Sequence, residues 1–251
     1  DSSVSIITID SEEGLEIMRH TLTAQVLARA VKNLYPKSKL AIGPTIEDGF
    51  YYDVETEVAI SADDLEKIEA EMKTIIKTKS SITKKLVTKS EALKVFKSKN
   101  EPYKEIIIDE SDQKDNFQLY FQDHEEFVDL CRGPHLPSLG FIGAFKLTKI
   151  SGAYWKGDSK NAMLTRIYGT AWNNDKDLEK HLTKIEEALK RDHRKLGKEM
   201  NLFHFQDEAP GMVFWHPYGW NIYKSLQNYI RNKLDKNDYQ EINTPQVVDR
   251  K

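Results

Sequence analysis

Asp129-Leu-Cys-Arg-Gly-Pro-His135 holds the only cysteine of the chain, a histidine four positions later, and a Gly-Pro pair that can bend the backbone between them. If that turn folds the chain back, a thiol and an imidazole face one cavity. Such a pair can bind a metal, activate a nucleophile or position a water. The plainer reading is a buried free cysteine beside a turn histidine. The flanking sequence has to decide.

On either side the stretch is embedded in strand patterns. Strands are predicted at Lys104 to Ile108, Phe117 to Gln122, Glu126 to Cys131, Lys146 to Ile150 and Leu164 to Thr170. Upstream, Ser3 to Ile9 reads as a short strand. Ser11-Glu12-Glu13 then caps a helix from about Gly14 to Leu34, with Leu15, Met18, Leu22, Val26, Ala30 and Leu34 on its apolar face and Pro36 ending it. A strand and turn at 40–46, a hairpin at Asp48-Gly49 and a returning strand Phe50 to Val54 come next. Ser61-Ala-Asp-Asp opens a further helix striped by Leu65, Ile68, Met72, Ile75 and Ile76. A strand at Thr83 to Val87 and a short helix at Ser90 to Phe96 complete this part. Strands and helices without regular βαβ alternation make it an α+β domain. From Asp175 to about Leu202 the pattern is one long charged helix. A second unit opens near Phe203, with a helix from Gly219 to Leu234 and a strand from Tyr239 to Thr244 closed by Pro245.

Composition narrows the function classes. The 251 residues carry 37 Lys+Arg against 40 Asp+Glu, a net charge of -3, so there is no global basic signature for DNA, and any RNA contact has to use local patches. One cysteine rules out an internal disulfide framework and fits a reducing, cytoplasmic setting. No apolar run approaches the ~18 residues of a membrane span, and the N-terminus lacks a signal-peptide layout. The chain begins at Asp1, so it is expected to be part of a longer polypeptide.

Three further stretches are more specific than composition: Ile42 to Asp53 (IGPTIEDGFYYD), Gly152 to Ser159 (GAYWKGDS) and Leu164 to Trp172 (LTRIYGTAW). With Asp129 to His135 they resemble the second additional domain shared by threonyl- and alanyl-tRNA synthetases, and most closely that of bacterial threonyl-tRNA synthetases. Arg191 to Lys195 and Glu208 to Trp215 are similar to the linker helix and the entry to the class II catalytic domain of that family, and Gly219 to Pro245 to its motif 1. The resemblance implies an editing-type domain at 1–174, a linker helix at 175–202 and a truncated start of a class II catalytic domain at 203–251. It further implies a parent threonine–tRNA ligase that uses ATP, Mg and a catalytic-domain Zn, with no cofactor and no metal expected in this portion. The implied partners are the acceptor end of tRNA(Thr) and a second copy joined through motif 1.

In that family the second domain hydrolyses seryl-tRNA made in error. A missing methyl is worth only about 1–3 kcal/mol of discrimination, which makes a second hydrolytic site physically reasonable. The family motif is a helical His-x3-His facing a Cys-x3-His. By resemblance, Cys131, His135 and Asp129 match the second half, Lys104 matches a pocket lysine, and Gly43 and Tyr52 match residues that shape the pocket. Read without the family, Lys104 is a surface lysine and Tyr52 a core aromatic.

The first half departs from the family. Arg19-His-Thr-Leu-Thr-Ala-Gln-Val-Leu27 aligns from the left on His20, whose i+4 partner is then Ala24, but from the right it places Gln25 at the second histidine, one residue too far. Five helical residues turn through about 500°, so His20 and Gln25 share a face only if a bulge absorbs the extra residue. Glutamine can hold a water but cannot exchange protons near neutral pH. The leading reading is an editing domain whose hydrolysis is weakened or lost. The alternatives are retained hydrolysis by His20, Cys131 and His135, a zinc module built on those three residues, or a pure RNA-binding module.

Overall fold

The computed structural model describes residues 6–122 and 126–245. By internal contacts the chain divides into Asp1–His181 and Leu182–Lys251.

In the first unit, Ser11 opens helix α1 (Glu12–Thr21): its hydroxyl accepts the Gly14 amide at 3.0 Å, and Glu12 and Glu13 sit in the positive first turn. The helix continues without interruption through a π-helical turn (Leu22–Leu27) into α2 (Ala28–Leu34). Within the turn the Ala28 amide reaches back to the Thr23 carbonyl, an i→i+5 bond that accommodates one residue more than an α-turn. All six residues of the turn are buried.

Side chains from the rest of the unit hold it. The Thr23 hydroxyl donates to the Tyr51 carbonyl at 2.8 Å. The Gln122 amide donates to the Gln25 carbonyl at 2.5 Å and to Gln25 Oε1 at 3.0 Å. Arg29 donates to Gln122 Oε1 at 3.0 Å, which fixes which end of that amide is the donor.

This helix packs on one sheet. Its strands are β1 (Lys39–Leu40), β2 (Thr45–Ile46) and β3 (Gly49–Glu55), then, after helix α3 (Leu65–Lys77), the long hairpin β7 (Ala144–Tyr154) and β8 (Met163–Trp172). All pairings are antiparallel, in the order β1-β3-β8-β7 with β2 on β3. Met18, Leu22, Val26, Phe50, Tyr52, Val54, Ile68, Met72 and Ile167 share its core. A second, three-stranded sheet, β4 (Ile82–Val87), β5 (Phe117–Gln122) and β6 (Phe127–Leu130), buries Phe117, Leu119, Phe121 and Val128 against α4 (Lys89–Ser98) and α5 (Pro102–Asp109). The α+β expectation holds.

Several predicted elements differ. Residues 104–108 are helical: Pro102 sits at the first helical position, and Tyr103, Lys104 and Ile108 are buried while Ile106 faces solvent, a helical spacing hidden inside a short apolar run. Of the strand predicted at Ser3 to Ile9, residues 3–5 lie outside the described residues, and 6–9 form no strand. The long charged helix is two helices, α6 (Asp175–Lys190) and α7 (His193–Glu199). Asp192 caps the second by accepting the Arg194 amide at 2.8 Å.

In the second unit a short pair, β9 (Phe203–His204) with β10 (Phe214–Trp215), precedes α8 (Pro217–Asp235). Residues 239–244 find no strand partner among the described residues. On α8, Leu226, Tyr229 and Ile230 are exposed.

Replacing Gln122 with Leu is expected to strip two buried acceptors on Gln25 of their donor and to cost about 1–3 kcal/mol. Urea unfolding followed by circular dichroism measures it. Wild-type stability in the variant would show that the turn holds itself.

Candidate functional site

The end of α1, the π-turn and the segment leaving β6 enclose a cleft of about 780 Å³ whose wall includes His20, Ala24, Gly43, Lys104, Asp129 and Cys131. Cys131 is placed by the sheet, since its amide donates to the Gln118 carbonyl at 3.2 Å. The chain then turns at Gly133 (φ +62°), where a Cβ would lie 1.9 Å from the Tyr120 hydroxyl, so only glycine fits. That turn brings His135 back beside His20. The two rings stack at 4.7 Å with 1° between their planes, and Tyr120 packs edge-on against His135 at 4.4 Å.

The hydrogen bonds assign the proton positions. His20 Nε2 lies 2.6 Å from Cys131 Sγ. Burial pushes the Cys131 thiol up to about 11, and burial also lowers the His20 pKa, so at neutral pH the thiol donates to a neutral imidazole. The Thr21 hydroxyl donates to the Ile17 carbonyl at 2.8 Å, which leaves Thr21 Oγ1 to accept from Leu136 N–H at 2.9 Å and from His135 Nδ1 at 3.2 Å. His135 therefore carries its proton on Nδ1. Its buried Nε2 has no partner among the described residues. Burial, then His20, lowers the His135 pKa to about 3.

Behind the thiol, Asp129 is almost fully buried and accepts three donors: Lys104 Nζ at 2.6 Å, the Leu130 amide at 2.8 Å and the Tyr52 hydroxyl at 3.0 Å. This satisfies the carboxylate and anchors Lys104 in the cleft wall. Gly43 lets the wall close over Tyr52, because a Cβ there would lie 2.2 Å from the Tyr52 ring.

The structure thus brings His20, Cys131, Asp129, Lys104 and Gly43 into the lining of one cleft. His135 stands behind His20 and is not part of the cleft lining. Two residues named for the pocket lie outside the cleft lining. Gln25 is fully buried with its side chain on Gln122, and Tyr52 is fully buried beneath Asp129, so neither can touch a molecule in the cleft. Ala24 takes the wall position four residues after His20. Sequence reading named Ala24 only as the i+4 neighbour of His20, and missed Thr21, Tyr120 and Gln122. Only Thr21, adjacent to His20, carried a signal.

His20, Cys131 and His135 offer three metal-ligand atoms within 4.8 Å of one another. Tetrahedral N and S ligands on one Zn stand about 3.5 Å apart, given Zn–N and Zn–S bonds of about 2.0 and 2.3 Å. At 2.6 Å the His20–Cys131 pair is closer than that. To bind metal, the pair would have to part and the thiol ionise.

Residues 118–168, which hold β5, β6, the Cys131–His135 turn and most of the β7–β8 hairpin, match the family described as threonyl and alanyl tRNA synthetase second additional domain. Over its whole length the chain is similar to threonine–tRNA ligases: 52% identical over 250 residues to that of Prochlorococcus marinus strain MIT 9211, and 56% to that of Legionella pneumophila strain Corby. The threonine–tRNA ligase of Hahella chejuensis is 52% identical over the same length. The chain spans 39% of the length of each of these relatives. No helix of the described residues is long and apolar enough to cross a membrane.

The low His135 pKa has a sign. Between about 3 and its ordinary 6.5, the unfolded chain binds a proton that the folded chain does not. Stability is therefore lost as pH falls through that window, by up to about 1.4 kcal/mol per pH unit. In urea unfolding between pH 4 and 7, His135→Gln is expected to flatten the acid limb by about one proton. An unchanged limb would place His135 in water.

Proposed function

We propose that the chain is the editing-domain portion, with the adjoining start of the catalytic domain, of a threonine–tRNA ligase, and that its cleft receives the acylated 3′ end of tRNA(Thr) with weakened hydrolysis of Ser-tRNA(Thr). One observation carries the weakening: the wall position four residues after His20 bears the Ala24 methyl, while Gln25 is turned into the core. By resemblance that position belongs to a second imidazole. The polar groups that remain can still bind an ester. Lys104 sits where it can polarise a carbonyl, and the His20–Cys131 pair can orient a water. Proton exchange with that water is the missing part, because the thiol and the imidazole are engaged with each other. Loss of one positioned acid or base typically costs 10²- to 10⁴-fold.

The parent's properties belong to the same reading: ATP-dependent threonylation with Mg and a catalytic-domain Zn, dimerisation through the α8 region, and a cytoplasmic place in translation. The exposed Leu226, Tyr229 and Ile230 on α8 are consistent with a covered face in the longer protein.

Deacylation of preformed Ser-tRNA(Thr) tests the proposal. The wild-type chain is expected to be at least about 100-fold slower than a relative with both helical histidines. Ala24→His, which places an imidazole on the cleft wall, is expected to raise the rate at least about tenfold. Gln25→His should give no gain, because that side chain points at Gln122. A fast wild type, or recovery through Gln25→His, sinks the weakened-editing reading.

A further inference from the structure

The formal charges on the cleft wall cancel, with one exception. Lys104 is matched by Asp129 at 2.6 Å, and Glu110 is matched by Lys156. Arg132 also lines the cleft, is exposed, and has no carboxylate partner among the described residues. It directly follows Cys131 in the chain, which puts one exposed cation in the lining next to the thiol-bearing residue. Ser111, Gln113 and Asn116, also in the lining, are neutral. The cleft therefore has an uncharged or charge-cancelled floor and one uncompensated cation at its lip.

A guanidinium in that setting matches a phosphodiester. Its planar fork binds two phosphate oxygens at once, and with no internal carboxylate to displace, the pairing competes only with water. The proposed ligand carries its nearest negative charge one nucleoside away from the ester, on the phosphate that joins the last nucleotide to the rest of the strand. We infer that Arg132 holds this phosphate and so positions the acylated nucleoside against Cys131 and His20. The inference rests on the reading of the cleft as a site for acylated RNA. Arg132 acts on binding and orientation and has no part in bond cleavage.

Two probes separate the roles. The first is a 5′-fluorescein-labelled acceptor-stem minihelix of tRNA(Thr) ending in CCA, read by anisotropy across a salt series. The second is the seryl amide of 3′-amino-3′-deoxyadenosine, which has the acyl group and nucleoside but no phosphate, read by calorimetry. Both are measured on the 251-residue chain. Arg132→Ala is expected to weaken minihelix binding about tenfold and to lower the salt slope by about 1, with amide affinity unchanged. Arg132→Lys, which keeps the charge without the fork, should recover part of the loss. Unchanged minihelix affinity overturns the assignment, as does an equal loss on both probes, which would mark Arg132 as a support of the pocket. If neither probe binds the wild-type chain, the functional reading fails and the assignment falls with it. If both bind the wild type and Arg132→Ala affects neither, only the assignment fails.

Discussion

The amide of Gln122 decides how the helix that carries half of the site can run. It reaches from the end of β5 to the Gln25 carbonyl and is itself oriented by Arg29. The Gln25 carbonyl is buried within the π-turn, and a buried acceptor gains from a donor supplied across the unit. Supplying that donor from a neighbouring strand lets the extra residue stay inside the helix without shifting its ends. His20 on one side of the turn and Val26, Leu27 and Val31 on the other therefore all reach their packing partners.

This arrangement also explains why the site is a mixture of intact and altered parts. The turn at Gly133 depends on sheet pairing and on the fit against Tyr120, neither of which touches the helix insertion. The Asp129 carboxylate is satisfied by Lys104, Tyr52 and its own strand. Of the helical residues after His20, Thr21 is tied to the turn, through the Leu136 amide and His135 Nδ1, and it precedes the π-turn. The insertion changes one thing in the cleft, the identity of the group four residues after His20.

Much of this was legible in the sequence, and the exceptions share a cause. The alternating strands around Cys131 and the capped helix starts at Ser11 and Ser61 are local signals, and the structure has those elements. The motif resemblance named Cys131, Asp129, Lys104 and Gly43 as residues of one pocket, and all four line the cleft. Where reading failed, the deciding partner was distant. Residues 104–108 look equally good as a strand until α4 and the second core claim one helical face. Gln25 looked like a cleft residue because its partner Gln122 lies 97 positions away and carries no motif. Ala24 was visible as the i+4 neighbour of His20, but a methyl group announces no chemistry.

The two faces of the helix therefore answered the same insertion differently. Its core face needs only apolar volume at roughly helical intervals, and a π-turn restores that interval for Val26 and everything beyond it. Met18, Leu22, Val26, Leu27 and Val31 are all fully buried, so the core face keeps its burial across the turn. The cleft face needs a particular atom within hydrogen-bond reach of a reacting centre, a tolerance of a few tenths of an ångström that a one-residue shift exceeds. Hydrophobic burial is indifferent to the identity of the side chain four residues after His20, whereas proton transfer is not. A fold can thus absorb the extra residue at almost no cost in packing while the chemistry of the same helix is altered, which is how an intact Cys131–His135 turn comes to face an alanine.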